Sequence, residues 1–225
     1  TDAKTAEMSR LMENTFRDVN IALANELAKV CTALEINVLD VIQMANKHPR
    51  VNLHFPGPGV GGHCLAVDPY FIVAKAPELA KIIKLSRDTN VSMPGFVVEN
   101  VKKIIGKETE AVISVFGVTY KGNVDDMRES PAMDIVKILN QEGFQVKLHD
   151  PHVESETYTF LSKEEAVQDS EMILVLTDHD EFKSYDYQML GQSMKVPVVF
   201  DTRNIVKPVE GVAVINFGNL YSFLK

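Results

Sequence analysis

The chain has 225 residues, of which 45% are apolar and 24% carry a charge, a composition that is ordinary for a globular protein. This length allows one large domain or two small domains, each able to bury its own core. The net charge of −8 argues against a nucleic acid or an anionic membrane as a binding partner. No apolar run reaches the roughly 18 residues that a membrane-spanning helix requires.

The two cysteines of the chain, Cys31 and Cys64, occur in unlike sequence contexts. They predict reduced thiols in a cytoplasmic protein rather than a disulfide framework. The sequence also begins without methionine and close to a helical pattern, so we expect a fragment of a longer protein.

The first predicted element is one long helix over residues 3–35. No glycine or proline interrupts it, and apolar side chains recur every three to five residues: Leu11, Phe16, Val19, Leu23, Leu27 and Val30. A helix of about 30 residues is roughly 45 Å long, which exceeds the needs of one small domain. We therefore expect a structural spine that packs against a second copy of itself. Arg10 and Asn14 share one face of this helix, where the simplest interpretation is two solvated side chains.

Shorter helices are predicted after it, over residues 37–46, 70–84 and 86–105. Pro94 is expected near a turn in the last of them. The periodicity changes at 106–110, which is the predicted domain boundary. The sequence thus predicts a helical domain over residues 1–106 and a second domain over residues 107–225.

Residues 52–71 (NLHFPGPGVGGHCLAVDPYF) are the most distinctive stretch, with four glycines and two prolines between positions 56 and 62. Such a run favours neither a helix nor a strand, because glycine is costly to order and proline lacks the N–H donor. It predicts a shaped loop whose bare backbone can lie against a ligand. Cys64 follows directly and Asp68 comes one helical turn later, which is typical of a nucleophile and its supporting carboxylate. The alternatives are a buried cysteine and a simple connecting loop.

Residues 57–62 also match the pattern G-x-G-x-x-G. That dinucleotide-binding fingerprint requires a strand before it and a helix that opens within it. The preceding residues, 50–56, do not have a strand pattern. We therefore interpret the match as fortuitous.

Residues 111–225 alternate between strand and helix, which predicts an α/β fold with a Rossmann-like, doubly wound parallel sheet. Strands are predicted at 111–118, 145–148, 172–176, 196–200 and 212–215, with a proline-initiated helix at 131–141. Ligands of such sheets bind at the carboxyl ends of the strands. Lys121 and Arg203 follow predicted strands, where they are either ordinary surface charges or a pair suited to bind a diphosphate. No G-x-G-x-x-G follows the first strand, so this domain is not predicted to bind a dinucleotide.

Two segments carry a family resemblance: residues 57–71 (GPGVGGHCLAVDPYF) and residues 11–27 (LMENTFRDVNIALANEL). They resemble the UDP-sugar 6-dehydrogenases of the UDP-glucose/GDP-mannose dehydrogenase family, and most of all the branch that acts on UDP-N-acetyl-hexosamines. The resemblance extends over essentially all 225 residues, as a central helical dimerisation domain and a C-terminal UDP-sugar-binding domain. It implies an N-terminal NAD-binding Rossmann domain that this sequence does not contain.

The resemblance implies that Cys64 is the catalytic nucleophile, and that Asp68 and Asn14 orient or activate water and stabilise oxyanions. Arg10 occupies the position of a family lysine. This is a departure, because a guanidinium is bulkier than an amine and does not titrate near neutral pH.

Substrate binding is implied for residues of the glycine loop and of the strand ends: Arg50, Phe55, Gly57, Gly59, Leu65, Tyr120, Lys121 and Arg203. The resemblance places Arg50 in the site of a neighbouring subunit, so a homodimer is expected. It places Arg128 on the NAD side of the site, and it implies no metal.

The implied activity is the NAD-dependent four-electron oxidation of UDP-N-acetylmannosamine at C6 through a cysteine thioester, for surface polysaccharide precursors. UDP-N-acetylglucosamine is the alternative substrate. A second hypothesis is a UDP-sugar-binding and dimerisation module that is inactive by itself. A third is an unrelated thiol enzyme, in which His63 would have to pair with Cys64.

Overall fold

The computed structural model describes residues 2–106 and 110–224. Helix α1 spans Ala3–Ala33, and the carboxylate of Asp2 caps it by accepting a hydrogen bond from the amide of Thr5. Helix α2 spans Val38–Ala45 and is capped by Asn37. Both helices confirm their predictions to within two residues. In the two described ranges, no helix combines the length and the apolar character needed to cross a bilayer.

The helices predicted over 70–84 and 86–105 are wrong in their limits. The structure has three helices in this region, α3 (Asp68–Lys75), α4 (Lys81–Val91) and α5 (Met93–Ile105). The break after α3 has a local cause, because Ala76 precedes Pro77, and a residue before proline is driven away from helical geometry. Pro94 lies in the first turn of α5, where its missing N–H costs nothing.

Helix α5 ends at Gly106, whose φ of +86° is accessible to glycine at little cost. The predicted boundary at 106–110 falls partly on residues 107–109, which lie outside the described residues. Its position therefore stays a prediction.

The second half of the chain contains a five-stranded sheet with the order β2-β1-β3-β4-β5, in which every pairing is parallel. The strands are β1 (Val112–Phe116), β2 (Gln145–His149), β3 (Met172–Val175), β4 (Val198–Asp201) and β5 (Ala213–Asn216). The helices are α6 (Pro131–Gln141), α7 (Lys163–Val167), α8 (Asp180–Ser184) and α9 (Tyr187–Gly191), with a 3₁₀ helix at Leu220–Phe223. The predicted α/β class and parallel sheet are confirmed, and the strand limits shift by one or two residues.

Two apolar cores cover the two faces of this sheet, because successive side chains of a strand point to opposite faces. Ile113 and Val115 of β1 pack in a core that also contains Cys31 of α1 and Ile42 of α2. Phe116 points to the other face and packs with residues of α7, α8 and α9. The sheet is therefore doubly wound, and the helical half shares one continuous core with it.

A buried polar cluster joins α1 to α4. Nη1 of Arg87 lies 2.5 Å from Oδ1 of Asp18, and both side chains are almost fully buried. Asn90 donates to the same Asp18 oxygen at 2.8 Å and accepts a hydrogen bond from Asn25 at 2.9 Å. Removal of one partner of a buried ion pair is strongly destabilising, because the remaining charge has neither a counter-charge nor solvent around it.

We expect the Arg87→Met substitution to lower the free energy of unfolding by about 3–5 kcal/mol, because it leaves the Asp18 carboxylate buried without its cation. Lys84→Met, on the same helix, is the matched control. Lys84 pairs with Asp88 on the surface with half of its side chain exposed, so its loss should cost less than about 1 kcal/mol. Urea unfolding of both variants measures the difference, and equal losses would contradict the account.

Candidate active site

The site is built around the carboxylate of Asp68, which is 5% exposed. Nη1 of Arg10 donates to its Oδ2 at 3.0 Å, and Nδ2 of Asn14 donates to the same oxygen at 2.7 Å. The two donors lie one turn apart on α1, and the acceptor begins α3, so the contact depends on the packing of these two helices. Arg10 and Asn14 were predicted to share one face of the helix, and in the structure they share one hydrogen-bond acceptor, Asp68.

Cys64 lies in the turn that leads into α3. The amide of Asp68 donates to the carbonyl of Cys64 at 2.8 Å, so the two residues stand one turn apart. Cys64 is exposed, whereas Cys31 is buried in the core, and burial raises the pKa of the Cys31 thiol. The structure thus places an accessible thiol one helical turn from a carboxylate that holds two hydrogen-bond donors, a set that can support nucleophilic chemistry.

The glycine loop, residues 56–62, lies between the helical half and the sheet half. The amide of Gly57 donates to Oδ1 of Asn25 at 2.9 Å, and the amide of Gly62 donates to the carbonyl of Glu129 at 3.2 Å. A Cβ atom at Gly61 would stand 2.2 Å from that carbonyl oxygen. Glycine is required here by the close approach of a neighbouring backbone.

The literal dinucleotide pattern in this loop lacks its structural context. Among the described residues, no strand precedes position 57, and the next helix begins only at Asp68. The fingerprint needs a strand, a tight turn and a helix in direct succession. The loop therefore does not have the strand–turn–helix structure of a dinucleotide-binding fingerprint.

Two strand-end residues face this loop from the sheet half. The guanidinium of Arg203 lies against Gly57, where a Cβ atom would stand 2.9 Å from Nη1. The ring of Tyr120 packs on Gly62, where a Cβ atom would stand 3.0 Å from the nearest ring carbons. Lys121 follows Tyr120 and is exposed. The structure therefore brings the loop to the carboxyl end of the sheet, where parallel sheets bind ligands.

Arg203 is fixed by an acidic partner that the sequence did not reveal. Its Nη2 lies 3.1 Å from Oδ1 of Asp178, which follows β3. Burial disfavours ionisation of Asp178, but attraction and hydrogen bonding from Arg203 outweigh burial and hold the pKa of that carboxyl below its usual value. The pair is thus an ionised contact at the edge of the candidate site.

Arg128 is fixed in a similar way by Asp126. Nε and Nη2 of Arg128 donate to the two carboxylate oxygens at 2.9 and 2.8 Å. These hydrogen bonds hold the pKa of Asp126 well below its usual value. His63 lies beside the same carboxylate, 3.9 Å away. The predicted NAD-side arginine and the residue before Cys64 therefore meet at Asp126.

Three predicted substrate-binding residues lack such contacts. Arg50 and Phe55 are exposed in the segment before the glycine loop, and within the described residues neither side chain forms a hydrogen bond or an ion pair. Leu65 is half-buried in the turn after Cys64. Their roles in substrate binding stay predictions.

Sequence reasoning missed Asn25, Asp126 and Asp178. Asn25 has a detectable signal, because it is a polar residue amid the apolar positions of a long helix and is fully buried. The two aspartates sit among ordinary surface charges, so only the fold shows which cation each one holds.

The fold and the site together define an α/β protein in which Arg203 and Tyr120, from the strand ends, pack on a glycine loop that an exposed cysteine follows. The chain belongs to the UDP-glucose/GDP-mannose dehydrogenase family. The sequence profile of the family's central domain matches residues 4–92, and that of its UDP binding domain matches residues 114–208.

Individual relatives agree with this assignment. The chain is 53% identical over 209 residues to a UDP-N-acetyl-D-mannosamine dehydrogenase of Methanocaldococcus jannaschii, covering 92% of this chain and 48% of the relative. It is 46% identical over 211 residues to an NDP-N-acetyl-D-galactosaminuronic acid dehydrogenase of Ralstonia solanacearum, covering 91% of this chain and 49% of the relative.

A solved structure gives the same picture. The UDP-N-acetyl-mannosamine dehydrogenase of Staphylococcus aureus superimposes with a TM-score of 0.91 at 58% identity, over 99% of this chain and 53% of that chain. This chain thus spans about half the length of the relatives it matches.

We expect Gly61→Ala to lower the free energy of unfolding by about 1–3 kcal/mol, because the added methyl group overlaps the carbonyl of Glu129. Gly95→Ala is the matched control. Gly95 lies in α5, where no atom of the described residues, apart from the adjoining residues and the nearby helix backbone, stands within 4 Å of the position of an added methyl group. Alanine there should stabilise the helix by up to about 1 kcal/mol. Opposite signs in urea unfolding support the account, whereas a harmless Gly61→Ala would contradict it.

Proposed function

We propose that the protein to which this chain belongs catalyses the NAD-dependent four-electron oxidation of UDP-N-acetylmannosamine at C6, giving UDP-N-acetylmannosaminuronate for surface polysaccharide precursors. The observation that carries the proposal is the carboxylate of Asp68, which accepts hydrogen bonds from Arg10 and Asn14. Asp68 lies one helical turn after the exposed Cys64. The names of the relatives from M. jannaschii and S. aureus support the choice of sugar.

The proposed division of labour follows the two halves of the chain. Residues 1–106 are the central dimerisation domain with the catalytic loop, and residues 107–225 are the UDP-sugar-binding domain. The ranges matched by the two family profiles support this division. Because the chain spans about half the length of its relatives, we assign most of the NAD site to a part of the protein outside this sequence.

The residues present fit one edge of an NAD site. Arg128 exposes 72% of its side chain, and Asp126 fixes the orientation of its guanidinium, as suits a contact to the pyrophosphate of a dinucleotide. When NAD is bound, it accepts the hydride in each of the two oxidations. The glycine loop lacks the strand and helix that the dinucleotide fingerprint requires, and the turn after β1 lacks the G-x-G-x-x-G pattern itself.

In the proposed reaction, loss of a first hydride from C6, with release of the hydroxyl proton to water, converts the alcohol to an aldehyde. The Cys64 thiolate then adds to the aldehyde carbon and forms a thiohemiacetal. Loss of a second hydride from the same carbon, with release of the thiohemiacetal hydroxyl proton to water, gives a thioester. Water hydrolyses the thioester, which releases the carboxylate product and the thiol. A cysteine suits this role because a thiolate is a strong nucleophile even when only partly populated.

Three side chains around Cys64 have proposed supporting roles. Arg10 and Asn14 are assigned the role of N–H donors to the oxyanions of the two tetrahedral intermediates. Asp68 orients both donors and accepts a proton from the attacking water. Since a guanidinium does not titrate near neutral pH, Arg10 is assigned an electrostatic role only.

The UDP portion is assigned to the space between the glycine loop and the strand ends. Lys121 and Arg203 supply positive charge for the diphosphate. The loop backbone and the neighbouring side chains pack against the uracil, ribose and sugar: Phe55, Gly57, Gly59, Leu65 and Tyr120. The match to a UDP binding domain over residues 114–208 supports this assignment.

We also propose a homodimer that forms along α1. This helix exposes several large apolar side chains that water solvates poorly: Met8, Met12, Phe16, Leu23 and Val30. A second copy of the helix would bury them. Arg50, which is exposed before the glycine loop, is the residue proposed to reach the partner's site.

A second candidate function is a UDP-sugar-binding and dimerisation module without hydride transfer of its own. The observation that favours it is the coverage of about half of each relative. UDP-N-acetylglucosamine remains the alternative substrate. The R. solanacearum relative is named for a different sugar although its sequence identity to this chain is similar.

The test is a product and stoichiometry assay on the full-length protein with NAD and each UDP-N-acetyl-hexosamine. We expect two NADH and one uronate for each UDP-N-acetylmannosamine consumed. Cys64→Ala should reduce uronate formation by at least about 10³-fold, since the thioester step is lost. Cys31→Ala is the control and should keep most activity, because Cys31 is buried in the core. Full turnover by Cys64→Ala would refute the mechanism, and binding without turnover would favour the module.

A further inference from the structure

The usual ligand crevice of this sheet is filled by the protein's own loops. In a sheet with the order β2-β1-β3-β4-β5, the crevice opens between the carboxyl ends of β1 and β3. These strands are neighbours in the sheet, and the chain segments that follow them run to opposite faces of it. Here a Cβ atom at Gly117 would stand 2.5 Å from Cβ of Thr177, and one at Gly122 would stand 2.6 Å from the carbonyl oxygen of Asp178. A ligand must therefore bind outside these loops rather than between them.

His179 lies at the centre of this filled crevice and is fully buried. Its Nδ1 accepts a hydrogen bond from the amide of Asn123 at 2.9 Å. A backbone amide can only donate, so Nδ1 carries no proton and Nε2 carries the proton of the neutral ring. Nε2 then donates to Oδ2 of Asp150, which lies 3.1 Å away.

Asp150 extends the same connection to the first strand. Its Oδ2 also accepts a hydrogen bond from the amide of Val118 at 2.8 Å, and its Oδ1 accepts one from the amide of His152 at 3.0 Å. Burial disfavours the charged form, but these donors and His179 hold the pKa of Asp150 below its usual value. The carboxylate is therefore a charged acceptor that joins the ends of β1, β2 and β3.

A second pair of hydrogen bonds closes the outer edge of this network. The side-chain oxygen of Asn123 accepts from the amide of Asp180 at 2.9 Å, and its Nδ2 donates to the carboxylate of Asp180 at 2.8 Å. Thr177 also donates to the carbonyl of Thr119 at 3.0 Å. Residues 119–123 of the loop after β1 are thus bonded to residues 177–180 of the loop after β3.

We propose that His179 is a positioning residue for recognition of the diphosphate of the ligand. It fixes the loop that carries Lys121 against the loop in which Asp178 holds Arg203. The two loops that carry these cations are then ordered before the ligand arrives, which lowers the ordering cost of binding. The inference rests on the proposed binding of UDP by Lys121 and Arg203. In it, His179 does not contact the ligand and acts only by fixing the positions of the two loops.

The same imidazole belongs to a group that could in principle hold a metal ion. Ligand atoms of His152, His179 and Glu181 lie within 4.8 Å of one another. However, Nδ1 of His179 is already the acceptor for Asn123, and a metal on Nε2 would require the opposite tautomer and break that bond. The hydrogen bonds therefore favour a structural connection over a metal site.

The experiment compares UDP and uridine as ligands of the full-length protein by calorimetric titration. The variants are His179→Ala and His179→Asn, whose side-chain oxygen can replace the Nδ1 acceptor. His152→Ala is the control, because this ring stacks on His179 at 4.6 Å but bonds to Glu181 instead of the loop. Far-ultraviolet circular dichroism confirms that each variant is folded before titration.

We expect His179→Ala to weaken UDP binding about tenfold and uridine binding less than about twofold, since two hydrogen bonds that fix the cations are lost. His179→Asn should recover most of the UDP affinity, and His152→Ala should bind UDP like the wild type. On a Lys121→Ala background, His179→Ala should weaken UDP binding less than it does in the wild type, because one of the positioned cations is gone.

The possible failures are distinguishable. If the wild type does not bind UDP, the proposed function fails and the inference fails with it. If the wild type binds UDP but His179→Ala binds it equally well, or loses UDP and uridine alike, the positioning role is refuted while the proposed function stands. Saturable binding of Zn²⁺ to the wild type that is lost in His179→Ala would replace the positioning role with a metal site.

Discussion

The site depends on one backbone constraint, which is the glycine loop held between two halves of the chain. The helical half binds it through Asn25 and the amide of Gly57, and the sheet half binds it through the carbonyl of Glu129 and the amide of Gly62. A Cβ atom at Gly61 would collide with the carbonyl of Glu129, and one at Gly57 would collide with the guanidinium of Arg203. Because Cys64 comes two residues after the end of the loop, the position of the loop also restricts where the thiol stands relative to the strand ends.

Polar side chains around the loop are held by carboxylates from other parts of the chain. Asp68 orients Arg10 and Asn14, and Asp178 orients Arg203. Each carboxylate comes from a different element than the donors it fixes, so the tertiary fold is what creates the arrangement. A site assembled in this way is preorganised, which reduces the cost of ordering side chains when a ligand binds.

Local signals in the sequence predicted the elements and the loop, because periodicity, capping and glycine or proline content act over a few residues. Helix α1 and the proline-initiated helix α6 match their predicted ranges closely. The break near Pro77 was missed because the apolar pattern continues through it. The pairs of Asn25 with Gly57 and of Asp178 with Arg203 join residues at least 25 positions apart, and no local pattern encodes such contacts.

The central claim is that the thiol and the strand-end cations serve one ligand, and the rate of Cys64 alkylation tests it most directly. Iodoacetamide should label the exposed Cys64 and leave the buried Cys31 unlabelled, as read by peptide mass spectrometry of the full-length protein. The account predicts that the UDP-sugar slows labelling of Cys64 in the wild type and that Arg203→Ala removes this protection at the same ligand concentration. Labelling of Cys64 at an unchanged rate in the wild type under saturating UDP-sugar would contradict it.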